Sequence, residues 1–159
     1  MGAFQIDFRA LQRSHWTADE SANVEIISDF VQKVMNDHDF DRVLEKYSNG
    51  SYVQHNRNIA DGIEGLVDLL KDFTGRFPDY GYDVRRILAD GDHVVFHSHA
   101  TLKAAHRGND RKGFNITDTW RLRDGLIVEH WDSIQAIDGA MRLYSLVYGG
   151  TIRNSNGVF

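Results

Sequence analysis

Apolar and polar positions alternate along this chain with two different periods, and the change falls near residue 80. Val24, Ile27, Phe30, Val31, Val34 and Met35 recur at helical spacing over residues 22–36, which gives one buried stripe with Ser21 placed to cap it. Phe40, Val43, Leu44 and Tyr47 predict a second, short helix with Asp39 as its cap. A third is predicted over residues 63–73 by Ile63, Leu66, Val67, Leu70 and Phe73, with Asp61 as its cap. Residues 51–56 (SYVQHN) form a short extended piece after Asn49-Gly50, and Pro78 closes the helical half. From Tyr80 the period becomes that of strands. Residues 80–89 and 93–104 flank Asp90-Gly91, and residues 113–123 and 126–136 flank Asp124-Gly125, with a polar loop (HRGNDRK) between the pairs. Residues 141–148 predict a last short helix. The expected organisation is an N-terminal arm (1–20), one domain (21–148) and a loose C-terminal tail (149–159). Helices followed by consecutive antiparallel strands predict an α+β fold in which a curved antiparallel sheet wraps about three N-terminal helices and encloses a pocket.

The stretch TDTWRLRDGLIVEHWDSIQ (117–135) carries the most chemistry. Asp-Gly favours a two-residue type I′ turn, because both positions need positive φ. Arg123 then pairs with Leu126, and an unbroken ladder sets Asp118 opposite Trp131, Trp120 opposite Glu129 and Leu122 opposite Ile127 on one apolar, inward face. The other face takes Thr117, Thr119, Arg121, Val128, His130 and Asp132, so His130 and Asp132 are expected at the solvated surface. An inward Asp118 beside two indoles is a candidate acid–base group, since burial raises a carboxyl pKa. One extra residue in the turn would reverse that parity.

Composition narrows the classes without choosing among them. Of 159 residues, 42% are hydrophobic and 26% charged, as in an ordinary globular domain. A net charge of −5 argues against a nucleic-acid partner. No apolar run approaches the roughly 20 residues of a membrane span, and no basic-then-apolar leader opens the chain, so a cytoplasmic protein is expected. Without cysteine, thiolate nucleophiles and zinc–thiolate sites are excluded.

Further candidates accompany Asp118. His55 sits at the end of SYVQHN, where strand ends facing a helix open pockets, with Tyr52 and Asn56 near enough to orient a carbonyl or hydroxyl. His97 and His99 share a strand face. That spacing suits a metal with a third carboxylate ligand, a polar pocket role, or an outer-face position at a dimer contact, and the apolar Val94, Phe96, Ala100 and Leu102 opposite favour the outer face. Trp120, Trp131 and Glu129 complete the inward set. No Gly-rich phosphate loop and no Gly-x-Ser-x-Gly elbow is present. An enclosed pocket with one or two ionisable groups suits proton abstraction beside a carbonyl, isomerisation, dehydration or aldol closure; the rival reading is a binding module without catalysis.

From about Val24 to about Ile137 the chain resembles the SnoaL-like polyketide cyclases of the nuclear-transport-factor-2-like superfamily, with closest flavour in the predicted aldol-condensing subgroup. The resemblance rests on VQKVMNDHDFDRVLEKY, SYVQHN, DGIEGL, ADGDHVVFHSHATL and DTWRLRDGLIVEHWDSIQ. It implies a cone-shaped α+β fold, a homodimer formed through the sheet, a small apolar or aromatic carbonyl substrate, and no metal or cofactor. It also implies an acid/base role for Asp118 and a catalytic histidine at His55. Arg57 stands where a proline would follow His-Asn in that family.

Overall fold

The computed structural model describes residues 4–48, 50–148 and 150–158. After a short helix α1 (Phe8–Leu11), helix α2 (Ala18–Val31) begins earlier than the apolar stripe alone predicts. Its N-cap is Thr17, not Ser21: the Thr17 hydroxyl accepts from the Glu20 amide and the Glu20 carboxylate accepts from the Thr17 amide, a reciprocal capping box. Wider π-helical turns (Gln32–Asp37) extend α2 and end at His38, whose φ is 52°. Helices α3 (Phe40–Tyr47) and α4 (Gly62–Arg76) follow, separated by strand β1 (Val53–Gln54). Asp39 caps α3 as expected. Asp61 stands at the N-cap of α4 as expected, but its carboxylate makes no bond to the helix and accepts the Gln54 amide at 2.8 Å instead.

Strands β2 (Gly81–Asp90), β3 (His93–Thr101), β4 (Phe114–Arg123) and β5 (Leu126–Ala136) lead into helix α5 (Gly139–Tyr148). The five strands form one curved, open sheet in the order β1-β5-β4-β3-β2, antiparallel except that β1 runs parallel to β5. Val24, Ile27, Phe30, Val31 and Val34 are fully buried, and they share the core with the inward side chains Val94, Phe96, Trp120, Leu122 and Ile127 of the sheet and with Ile63, Leu66 and Val67 of α4. This is the expected α+β cone. Among the described residues, no helix is long and apolar enough to cross a membrane.

Two local features set up the interior. The π-helical turns aim Asn36 at the edge strand β2, where its side chain accepts from the Tyr82 amide at 2.7 Å and donates to the Tyr82 carbonyl at 3.0 Å, as a neighbouring strand would. At the β4–β5 turn, Asp124 and Gly125 have φ of 52° and 75°, the type I′ geometry, and Arg123 pairs with Leu126. The ladder then slips. Leu122 faces Ile127, but Arg121 faces Glu129, so Val128 is an extra residue in β5. The tail also departs from expectation. Asn154 donates to the carbonyls of Asn56 and Ile59, and Asn156 donates to the Gln54 carbonyl, so this segment is fastened rather than loose.

Candidate active site

Because the extra residue lies in β5, the parity of β4 is untouched, and Asp118 points inward with 2% of its surface exposed. Every β5 residue beyond the bulge is reversed relative to the unbroken ladder. His130 and Asp132, expected outside, turn inward; Glu129 and Trp131, expected inside, turn outward. Asp118 faces Asp132 directly across the ladder, and Trp120 faces His130.

Asp118, His130 and Asp132 line a cavity of about 370 Å³ between the sheet and helices α4 and α5. Its walls are largely apolar, among them Leu66, Leu70, Phe73, Phe114, Ile116 and Tyr144. Its polar end holds Tyr80, Tyr82, Asp118, His130, Asp132 and Asn56, and no lysine or arginine lines it among the described residues. Tyr80 and Tyr82 enter from the start of β2, the segment that Asn36 holds.

The hydrogen bonds at that end determine where one proton sits. The Asn56 amide donates to Gln54 Oε1 at 2.9 Å, and Gln54 Nε2 donates to the Tyr52 hydroxyl at 3.2 Å, which fixes the Gln54 amide with its oxygen toward His130. His130 Nδ1 lies 3.0 Å from that oxygen, so Nδ1 must carry a proton and donate. His130 Nε2 lies 3.2 Å from Asp118 Oδ1. That contact is attractive only if one proton lies between the two groups, either as a carboxylic acid donating to a neutral imidazole or as an imidazolium donating to a carboxylate. Tyr82 donates to Asp118 Oδ2 at 2.8 Å, and burial together with the Asp118 charge holds the Tyr82 hydroxyl well above the ordinary phenol range, so it keeps its proton. Asp118 and His130 are thus a buried, hydrogen-bonded pair. Trp120 stacks on the His130 ring at 5.2 Å and Tyr52 at 6.3 Å, supporting it from behind rather than lining the cavity.

Asp132 accepts from Asn56 Nδ2 at 2.8 and 2.7 Å. Burial pushes its carboxyl above the ordinary value of 3.8; the His130 charge and the Asn56 bond oppose this, while the Asp118 charge adds to it. A carboxyl whose pKa is raised on folding stabilises the fold below its unfolded value, and that contribution is lost as pH rises through the folded value. Asp132→Asn removes the cost of an ionised buried carboxyl. It is expected to gain stability relative to the parent as pH climbs above 3.8, with no gain in stronger acid, in urea unfolding followed from pH 3 to pH 8.

One donor atom from each of Asp118, His130 and Asp132 lies within 4.8 Å of the others, a set able to surround a cation. Their chemistry fits a cation poorly, because His130 Nδ1 is committed to Gln54 and Nε2 to the proton shared with Asp118.

The other expected site residues lie elsewhere. Only Asn56 of that set joins Asp118 at the cavity. His55 sits on the outer side: its ring stacks on Trp131 at 4.5 Å and Nδ1 donates to the Gly157 carbonyl at 2.6 Å, since its backbone follows the reversed β5. Outward Glu129 pairs with Arg121 at 2.8 Å. His97 and His99 occupy the outer face, in a cleft with Arg85 and Arg86, as the inward apolar Val94, Phe96 and Ala100 on the same strand require. His97 accepts from Arg86 through Nδ1 and donates to Asn115 through Nε2, so both its ring nitrogens are engaged, while His99 donates through Nε2 to the Lys112 carbonyl. Sequence reasoning missed His130, Asp132, Tyr82 and Gln54. The signal available for the first two was the apolar run Leu126-Ile127-Val128, which breaks alternation where the bulge lies.

Comparison with known proteins agrees with this architecture. A candidate polyketide cyclase from Bacillus cereus superimposes with a TM-score of 0.65 at 18% identity, covering 86% of this chain and 88% of that one. A candidate SnoaL-like polyketide cyclase from a Jannaschia species gives 0.63 at 15% identity, covering 87% and 100%. AclR from Streptomyces galilaeus, described as a candidate hydroxylase, gives 0.58 at 19% identity, covering 82% and 97%. At these identities the likeness is one of fold, the nuclear-transport-factor-2-like cone. No curated protein matches the chain. The model of the SnoaL-like domain matches residues 27–130, well over half of the sequence, and the chain therefore belongs to the SnoaL-like domain family.

Proposed function

We propose that this pocket catalyses acid–base chemistry on a small, uncharged carbonyl compound, with Asp118 as the base and His130, in place of His55, as its proton partner. The observation that carries this reading is the Asp118 carboxyl, buried on the wall of a largely apolar cavity and bonded at once to His130 and Tyr82. In the reaction, a C–H bond beside the carbonyl breaks, its proton passes to Asp118 and its electron pair moves into the enolate. Asp132, which faces Asp118 across the ladder and whose carboxyl is pushed upward by burial, supplies a hydrogen bond or proton to the enolate oxygen. Attack of the enolate carbon on a second carbonyl, whose oxygen then takes the proton held by Asp118, gives aldol closure; return of that proton to another carbon gives isomerisation; its delivery to a β-hydroxyl, which leaves as water, gives dehydration. The apolar walls exclude water from each of these steps.

The charge of the lining selects the substrate. Two carboxyls face the cavity and, among the described residues, no lysine or arginine does, while His130 is already engaged by Asp118 and Gln54, so an anionic ligand would enter without a free cationic partner. The test is wash-in of solvent deuterium at the α-carbon of aryl ketones, each paired with an analogue bearing a free carboxylate and followed by proton NMR. The protein is expected to accelerate exchange of at least one neutral ketone by about 100-fold or more over buffer, within the range of a positioned base, and to leave the carboxylate analogue near background. Equal acceleration of the two, or none across the series, overturns the reading.

A further inference from the structure

We propose that residues 153–157 are a positioning strap for the Asp118–His130 pair. This rests on the acid–base reading of that pair. The two side chains that orient the site, Gln54 and Asn56, lie in or beside β1, a strand of two residues at the sheet edge. So short a ladder, with Val53 and Gln54 its only paired positions, cannot by itself hold two side chains in register. The C-terminal segment supplies what the ladder lacks. Asn154 Nδ2 bridges the carbonyls of Asn56 at 2.9 Å and Ile59 at 2.7 Å. Asn156 Nδ2 bridges the Gln54 carbonyl at 2.9 Å and the Asp61 carboxylate at 3.1 Å, and that same Asp61 oxygen accepts the Gln54 amide. The Arg153 amide donates to the Arg57 carbonyl at 2.7 Å, and the Gly157 carbonyl accepts from His55 Nδ1.

The connection to the proton is direct. The strap holds the carbonyls of Gln54 and Asn56; Gln54 Oε1 holds His130 Nδ1; Asn56 Nδ2 holds Asp132. Asn154 and Asn156 touch none of the cavity-lining carboxyls and are positioning residues, acting on the pair through Gln54 and Asn56. His55 gains a role here too: the histidine expected to be catalytic anchors the strap from the outer side.

Asn154→Ala and Asn156→Ala, singly and together in the full chain, test this without any substrate. Amide hydrogen exchange across residues 53–61 is expected to quicken by about tenfold or more in the double variant, as the loss of four bonds from two side chains frees a local segment, with exchange in β3 and β4 unchanged. The nitrogen-15 spectrum of the His130 ring is expected to lose its single Nδ1-protonated form and show exchange with the Nε2–H tautomer. Should the double variant fail to fold, the single variants carry the same readouts. Unchanged exchange in residues 53–61, or an unchanged His130 tautomer beside quickened exchange, overturns the strap. Failure of the acid–base reading itself would instead appear as absence of ketone exchange in the parent protein with the Nδ1–H form intact.

Discussion

Asp118→Asn is expected to lower the rate of α-carbon exchange by about 10²–10⁴-fold, the usual contribution of a positioned proton acceptor, while the fold survives. The structure explains why the fold should tolerate it. The substituted carboxamide would keep the shape of the side chain; its oxygen would accept from Tyr82, and its amide would donate to His130 Nε2, which has a free lone pair whenever Nδ1 alone carries a proton. Thermal unfolding followed by circular dichroism is therefore expected to show a stability change within about 1 kcal/mol, the net value of one exchanged hydrogen bond. Exchange at the parental rate in this variant would remove Asp118 from the chemistry.

His130→Gln is the second large effect. The ring stacks on Trp120 and Tyr52 and is 3% exposed, so its loss is expected to cost about 1–3 kcal/mol in stacking and packing. Its kinetic effect should be as large as that of Asp118→Asn, because the two groups hold one proton between them. The decisive comparison is the double variant. Groups that act as a unit are non-additive, so Asp118→Asn combined with His130→Gln is expected to be no slower than the worse single variant. Multiplying losses would mean that the residues work separately.

How far the chain disclosed this site can be traced residue by residue. The helical stripe of α2, the Asp39 cap, the Asp124-Gly125 turn and the inward face of β4 with Asp118 were all legible, because each depends on neighbours within a few positions. The start of α2 was legible as well, in Thr17-x-x-Glu20, although the apolar period begins only at Val24 and pointed to a later cap. What was hidden depends on distant pairing. Leu126, Ile127 and Val128 are all apolar, so the alternation there is compatible with either parity, and one inserted residue exchanges Glu129 and Trp131 for His130 and Asp132. His55 followed the same reversal, because its amide bonds to the His130 carbonyl and its ring thereby falls on the Trp131 side. Tyr82 and Gln54 reach the site from strands far away in sequence, and no local pattern marks them. The fold and the inward position of Asp118 were therefore legible in the motif, while the residues that meet Asp118 were set by the register of β5.

The central claim is that Gln54 holds a proton on His130 Nδ1 while Nε2 shares one with Asp118. Long-range proton–nitrogen NMR of the His130 ring, recorded from pH 5 to pH 9, measures this directly. The expected result is a proton on Nδ1 throughout, with Nε2 either bare or also protonated, and a response of the Asp118 carboxyl carbon that tracks it. A ring protonated on Nε2 alone at any pH in that range would contradict the account.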